Sequence, residues 1–245
     1  IPKDRFGNRM ITSPEKAYFD RVGDETKAAL LISSEGEAFI NTHNGILNDI
    51  DRGLRVLNWE SRSEKDMIEL GNNRKMRFLI NENYKEQQYK IRGGGQSEIY
   101  ILEVGTEKYL IKKKTTDVRN DDISQPFINE MLQCQALAAD LKQEFDETGG
   151  EMPTFLFASG QMACRKFEEG RELKRGEFET EIRKLAPIID KYLRDQQERG
   201  VALWKNVKQD MYSSLVPNIP VTPNNSWLKR EGGKFVCIDS FSYID

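Results

Sequence analysis

Gly93-Gly94-Gly95, Lys112 and Glu130 are the residues whose types and spacing could handle a phosphate chain. Glycine has no Cβ, so its backbone N–H groups can approach an anion closely, and a run of glycines can cover phosphates. The same triplet also suits a flexible turn. Lys112 follows Leu110 and Ile111, and strand alternation puts it on the face of Leu110, where a hydrated ammonium has no reason to be. It also opens the basic run Lys112-Lys113-Lys114, which reads as a solvated charge cluster. Residues 127–141 have helical period, with Phe127, Cys134, Leu137 and Leu141 on one stripe and Glu130 within it. A carboxylate there costs free energy unless it meets a cation or takes a proton. A Lys112–Glu130 ion pair answers both anomalies and would hold the ammonium where it meets α- and β-phosphates. In the competing reading Glu130 lies at the edge of the stripe and reaches water.

These residues need elements to position them. After the glycines, Ser97-Glu98-Ile99-Tyr100-Ile101-Leu102-Glu103-Val104 reads as a strand, Gly105-Thr106-Glu107 as a turn, and Lys108-Tyr109-Leu110-Ile111-Lys112 as a second strand. The spacing predicts a second amphipathic helix over 181–197, with Ile182, Leu185, Ile189 and Tyr192 on one face. Trp227-Leu228-Lys229 and residues 235–238 flank Gly232-Gly233 and predict another hairpin. Residues 1–85 are polar, with apolar patches at 28–32, 38–40 and 54–59. Ser34-Glu35-Gly36 predicts a hairpin turn between the first two patches, and Ser13-Pro14-Glu15 a helix start.

In chain order these segments resemble the N-lobe of the protein-kinase-like superfamily. Tyr109-Leu110-Ile111-Lys112 is similar to its V-A-I-K strand, and Glu130 to the glutamate of its C-helix. Pro153-Thr154-Phe155-Leu156-Phe157 and Ala163-Cys164-Arg165-Lys166-Phe167-Glu168-Glu169-Gly170 resemble its fourth and fifth strands and hinge. That likeness implies Arg165 near the gatekeeper and the backbone of Lys166, Phe167 and Glu168 against adenine. Residues 181–197 resemble the helix that follows. Thr222-Pro223-Asn224-Asn225-Ser226-Trp227-Leu228 resembles the end of a catalytic loop, with Asn225 in place of its magnesium-binding Asn. Lys234-Phe235-Val236-Cys237-Ile238-Asp239-Ser240-Phe241 resembles the strand entering D-F-G, with Asp239 as the metal aspartate. An acid beside an Asn suits magnesium, a hard cation that takes oxygen ligands. Read singly, Asn224-Asn225 is a turn and Asp239 a strand end; the order of the whole set carries the likeness.

The resemblance implies an α+β, two-lobed protein-kinase-like fold. Residues 1–85 would be an N-terminal extension or accessory module, 86–170 a β-rich N-lobe with hinge, and 171–245 a reduced or truncated helical C-lobe. ATP and Mg2+ are the implied cofactors, with Gly93, Gly94, Gly95 and Lys112 on the phosphates and Asn225 and Asp239 on the metal. The implied activity transfers a phosphoryl group to a hydroxyl of a protein or small molecule. The chain departs from the family where the H-R-D-x-x-x-x-N spacing, counted back from Asn225, meets Pro220 instead of the aspartate. Asp239-Ser240-Phe241 stands for D-F-G, and few residues follow it, so the C-lobe is expected to be either pared down or cut short of its full length. A pseudokinase that binds nucleotide or a protein partner without efficient catalysis is the second reading. An unrelated α+β interaction protein is the third.

Composition narrows the rest. The net charge of −3 gives no overall attraction to nucleic acid or an anionic membrane, and no apolar run approaches the roughly 20 residues of a bilayer span. Cys134, Cys164 and Cys237 are odd in number and far apart, which favours buried thiols in the cytoplasm or another reducing compartment. His43 is the only histidine, in the turn-like Asn41-Thr42-His43-Asn44-Gly45, so Ser-His-Asp chemistry has no support.

Proline offers no side-chain acceptor for a hydroxyl proton. Pro220→Asp is therefore expected to raise basal phosphoryl transfer, a positioned base being worth on the order of 10²–10⁴-fold. A radiolabelled-ATP transfer assay on both forms checks this. Brisk turnover by the unmodified protein would locate the base elsewhere, with Asp210 and then Asp245 the residues to mutate.

Overall fold

A computed structural model of the chain describes residues 2–12, 29–57, 67–78, 97–114, 126–160, 162–173, 175–180, 182–207 and 227–237. In chain order the first elements are β1 (Arg9–Thr12), β2 (Ala29–Ile32), α1 (Ser34–Thr42), α2 (Ile46–Val56), β3 (Ile68–Gly71) and β4 (Arg74–Phe78). They are followed by β5 (Ser97–Val104), β6 (Glu107–Lys114), α3 (Pro126–Asp140), α4 (Lys142–Thr148), β7 (Gly150–Glu151), β8 (Phe155–Ala158) and β9 (Met162–Lys166). The last are β10 (Arg171–Glu172), α5 (Arg175–Thr180), α6 (Ala186–Glu198), β11 (Trp227–Lys229) and β12 (Phe235–Cys237). The fold is mixed α+β, and its contacts divide it into two units: Ile1–Ile128 with Thr154–Phe167, and Asn129–Pro153 with Glu168–Asp245.

The first unit is built on an eight-stranded sheet in the order β1-β2-β8-β9-β6-β5-β4-β3, antiparallel throughout. The expected hairpin of β5 and β6 forms, and Gly105 in its turn takes φ +62°, the left-handed region that glycine enters without strain. Alternation then sorts the side chains. Tyr100, Leu102, Tyr109, Ile111 and Cys164 are buried on one face, where Leu30, Ile32, Phe39, Ile46, Ile50 and Leu54 join them in one core. Helices α1 and α2 cover that face. Phe39 of α1 meets Tyr109 with ring centroids 4.6 Å apart. In α2, Ile46, Ile50 and Leu54 recur at helical spacing, and Gly53 lies so close to β4 that a Cβ would meet Met76 Sδ at 2.6 Å.

Two expectations change here. The described elements within residues 1–85 belong to the first unit: β1–β4 pair into the same sheet as β5, β6, β8 and β9, and α1 and α2 supply its core. Ser34-Glu35-Gly36 is not a hairpin turn but the first turn of α1. Ser33 is its N-cap and accepts the Gly36 N–H at 3.0 Å, while its hydroxyl donates to the Phe155 carbonyl at 2.7 Å. The local cap and the tertiary contact outweigh the turn preference of the sequence. His43 ends α1 and packs edge-on against Phe39 at 5.0 Å. Behind α2, Arg74 pairs with Asp49 at 2.5 Å and donates to the Asn44 carbonyl at 2.9 Å, tying β4 to the helix. The helix start at Ser13-Pro14-Glu15 lies outside the described residues.

The second unit holds a four-stranded sheet, β10-β11-β12-β7, in which β12 and β7 run parallel. The hairpin expected around Gly232-Gly233 is β11 and β12, with Gly233 at φ +86°. Trp204, Trp227, Leu185, Ile189, Leu193 and Val236 are buried in this unit. The helix expected over 181–197 is broken: residues Ile182–Lys184 make a short 3₁₀ turn and α6 starts at Ala186, with Pro187 in its first turn. Proline fits a first turn, but in a helix interior it lacks an N–H and clashes with the preceding turn. Tyr192 of α6 donates to Asp140 of α3 at 2.7 Å, and Gln133 of α3 donates to the Leu203 carbonyl at 2.9 Å. No helix among the described residues is long and apolar enough to cross a membrane.

Gly36 has the least room of any described glycine: a Cβ would fall 1.8 Å from the Leu156 carbonyl oxygen. Gly36→Ala is expected to destabilise the protein by about 3 kcal/mol or more, at or above the upper end for overpacking. Gly176→Ala, with open space at its Cβ, is the control and should be neutral to stabilising by up to about 1 kcal/mol. Urea midpoints of the two variants against the parent decide it.

Candidate functional site

Lys112 sits inside β6 and not at its end, because the strand continues to Lys114. It lies opposite Ile99 of β5 and Ala163 of β9, half-buried, on the sheet face turned away from α1 and α2. The same face carries Ile101, Leu110 and Arg165. Ile101 and Ala163 are each 2% exposed and Arg165 is 5% exposed, so this face is also covered. Arg165 holds its guanidinium carbon 6.0 Å from the Phe155 ring centroid. A strand with partners on both sides cannot swing a residue out to solvent, so backbone pairing fixes Lys112 among apolar neighbours.

Glu130 is buried, 7% exposed, in the first turns of α3. Phe127, Met131, Cys134, Leu137 and Leu141 are buried around the helix as its period predicts, and Gln133 with them. The reading in which Glu130 reaches water from the edge of the stripe does not fit that burial. A carboxylate so enclosed needs a cation, a proton or hydrogen-bond donors. Lys112 belongs to the first unit and Glu130 to the second.

The segment expected to meet adenine follows β9. Lys166 is exposed, Phe167 is half-buried, and the Glu168 side chain is 7% exposed. Two of its three N–H groups are engaged: Lys166 donates to the Thr154 carbonyl at 2.9 Å, and Phe167 to the Lys108 carbonyl at 3.1 Å. Lys108 also places its ammonium 6.0 Å from the Phe167 ring centroid. A base docked here would therefore use the Glu168 N–H or the carbonyl groups of the segment.

Glu168 itself is tied into a charge cluster that spacing did not announce. Arg230, in the β11–β12 turn, directs one guanidinium nitrogen to Glu168 and the other to Glu151 at 2.5 Å. Lys234 pairs with the second oxygen of Glu151 at 2.8 Å. Sequence separations of 62 and 79 residues leave no local pattern by which these pairs could be read. Beside them Glu177 of α5 accepts from both Arg171 and Lys229, at 2.6 Å and 2.9 Å.

Gly93, Gly94, Gly95, Pro220, Asp210, Asn225, Asp239 and Asp245 lie outside the described residues. Among the described residues no group of three or more His, Cys, Asp or Glu side chains is arranged to hold a metal ion. The three cysteines are buried free thiols. Burial raises the Cys164 pKa well above the ordinary thiol range. Tyr109, which pairs with Lys166 across the strands, is raised by burial and then by its hydroxyl's hydrogen bond to the Glu107 carboxylate at 2.5 Å.

These raised values fix a sign. Above the ordinary thiol pKa the unfolded chain gives up a proton that folded Cys164 keeps, so stability is full below that pH and falls as pH rises toward the folded value. The expected slope is about 1.4 kcal/mol per pH unit for one such proton, beginning near pH ~8.5. Urea midpoints at several alkaline pH values check it: Cys164→Ala should flatten the decline, and an unchanged slope would show that Cys164 does not cause it.

The chain matches no family model, no curated protein and no solved structure.

Proposed function

We propose that the protein is a divergent, kinase-like nucleotide-binding protein, with ATP and Mg2+ as its ligands and a protein or small-molecule hydroxyl as acceptor. One observation carries the reading. Lys112 is held half-buried on an interior strand between β5 and β9, and the helix that follows in the chain, α3, encloses the carboxylate of Glu130. A half-buried lysine on a strand followed in the chain by a buried glutamate on a helix is the kind of pair that positions nucleotide phosphates. The chain order also supports it: strand with lysine, helix with glutamate, then β8 and β9, with β9 returning beside the lysine strand. The two-lobed kinase-like architecture is part of this proposal.

In this reading Lys112 orients the α- and β-phosphates, Glu130 orients Lys112, and Gly93, Gly94 and Gly95 supply backbone N–H groups. Asn225 and Asp239 hold magnesium. Bound ATP supplies the γ-phosphoryl group, and catalysis rests on positioning and charge neutralisation. A pseudokinase is the second reading, favoured by Pro220 at the place of the catalytic aspartate.

Thermal unfolding with and without ATP and magnesium tests the proposal. A ligand at about 100 times its Kd stabilises the folded state by roughly 2.7 kcal/mol. The expected result is a magnesium-dependent rise in Tm that Lys112→Ala abolishes without lowering the Tm of the free protein by much. No shift with either nucleotide or magnesium would remove the proposal and leave an α+β interaction protein.

A further inference from the structure

Asn44 and Gly45 lie between α1 and α2, and theirs is the single Asn-Gly sequence in the chain. The Ile46 N–H donates to the His43 carbonyl at 3.0 Å, which closes His43–Ile46 into a tight turn. Gly45 holds the third place of that turn at φ +75° and ψ 5°, the values a type II turn asks of glycine. Both central residues are exposed, and a Cβ on Gly45 would meet nothing within 4 Å. No described residue accepts from the Gly45 N–H or holds the Asn44 carboxamide. A free backbone nitrogen thus follows a free carboxamide, with no side chain to keep them apart.

One atom of the turn is gripped. The Asn44 carbonyl, which shares a peptide unit with the Gly45 nitrogen, accepts from Arg74 at 2.9 Å. Arg74 is 5% exposed and pairs with Asp49 at 2.5 Å, so its charge is both fixed and shielded. A cation on the carbonyl oxygen draws electrons from the whole conjugated amide. It eases loss of the N–H proton and stabilises the negative charge that spreads onto oxygen.

We infer that Asn44–Gly45 is a self-modification site, at which the Gly45 nitrogen displaces ammonia from the Asn44 side chain and Arg74 promotes the attack. Hydroxide takes the Gly45 N–H proton, and the nitrogen bonds to Asn44 Cγ. The Cγ–Nδ2 bond then breaks, and ammonia leaves with a proton from water, which restores the hydroxide. Water next opens the succinimide without any change of oxidation state. Attack at Cγ leaves aspartate. Attack at the main-chain carbonyl carbon leaves isoaspartate, and the oxygen that Arg74 holds becomes part of a free carboxylate. None of this depends on the nucleotide reading above.

Ageing the intact chain at mildly alkaline pH, followed by peptide mapping, reads the site. The peptide holding Asn44 should exchange an amino group for a hydroxyl before any other asparagine peptide does, with isoaspartate among its products. Asn44 still intact at the end, or slower than another asparagine, overturns the site. For the part of Arg74, the paired variant Arg74→Gln with Asp49→Asn leaves no uncompensated buried charge. It should slow the reaction of the folded chain by about tenfold. A merely structural Arg74 predicts the other sign, since a loosened turn reacts no more slowly. Unchanged or faster loss of Asn44 in the variant therefore overturns that part. Arg74→Lys, which keeps a cation beside Asp49, decides the same question if the paired variant does not fold. Its rate should also fall, because an ammonium cannot hold Asp49 and the Asn44 carbonyl in one planar fork.

Discussion

Strand β6 cannot leave the sheet. It pairs with β5 from Glu107 to Lys114 and with β9 from Tyr109 to Lys113, so its N–H and C=O groups are satisfied only while both neighbours stay in place. Buried backbone groups without partners are costly, and this requirement binds β3–β5 to β8, β9, β2 and β1. Everything else in the first unit follows from that strand's pleat. One face must be covered by apolar surface, which α1 and α2 bring; the other must accommodate a lysine within a row of aliphatic residues.

The parts legible in sequence are those in which a local period and a turn signal agree. The β5–β6 hairpin, α3 and the β11–β12 hairpin carry local patterns bounded by glycine, proline or polar residues, whereas β8 and β9, buried at consecutive positions, were expected from the resemblance alone. The N-terminal region misled because Ser34-Glu35-Gly36 looks like a turn until Phe155 and Leu156 are known to lie against it. Helix α2 was available to a closer reading: Ile46, Ile50, Leu54 and Leu57 fall on one helical stripe. Pro187 likewise marks the break that a continuous helix over 181–197 ignored. The sheet order was not legible, because pairing of β2 with β8 depends on no neighbouring residue. For the site, the burial of Glu130 could be expected from its place on the stripe, whereas Arg230 had no pattern to reveal it.

The charged residues follow a common logic. Arg74 and Asp49 are largely withdrawn from water as an opposite-sign pair, and the partly exposed Arg230 bridges Glu168 and Glu151 by short contacts. Breaking one member of such a set strands the other, which costs more than the set contributes when intact. These groups therefore specify geometry more than they add stability. The engaged N–H groups of Lys166 and Phe167 serve the same end, since they leave the segment few ways to move and few donors to offer.

The hydrogen bond from Ser33 to Phe155 spans 122 residues of sequence. During synthesis, β1, β2, α1 and α2 emerge long before the strands they need. At about 5–20 residues per second, the wait for β8 alone is on the order of ten seconds. In that interval the apolar side chains of β2 and α2 have no sheet to cover, and β2 lacks one of its two partner edges. Such a chain depends on chaperone binding or rapid local collapse while it is made, and its yield will be set by events on the ribosome as much as by the stability of the finished fold.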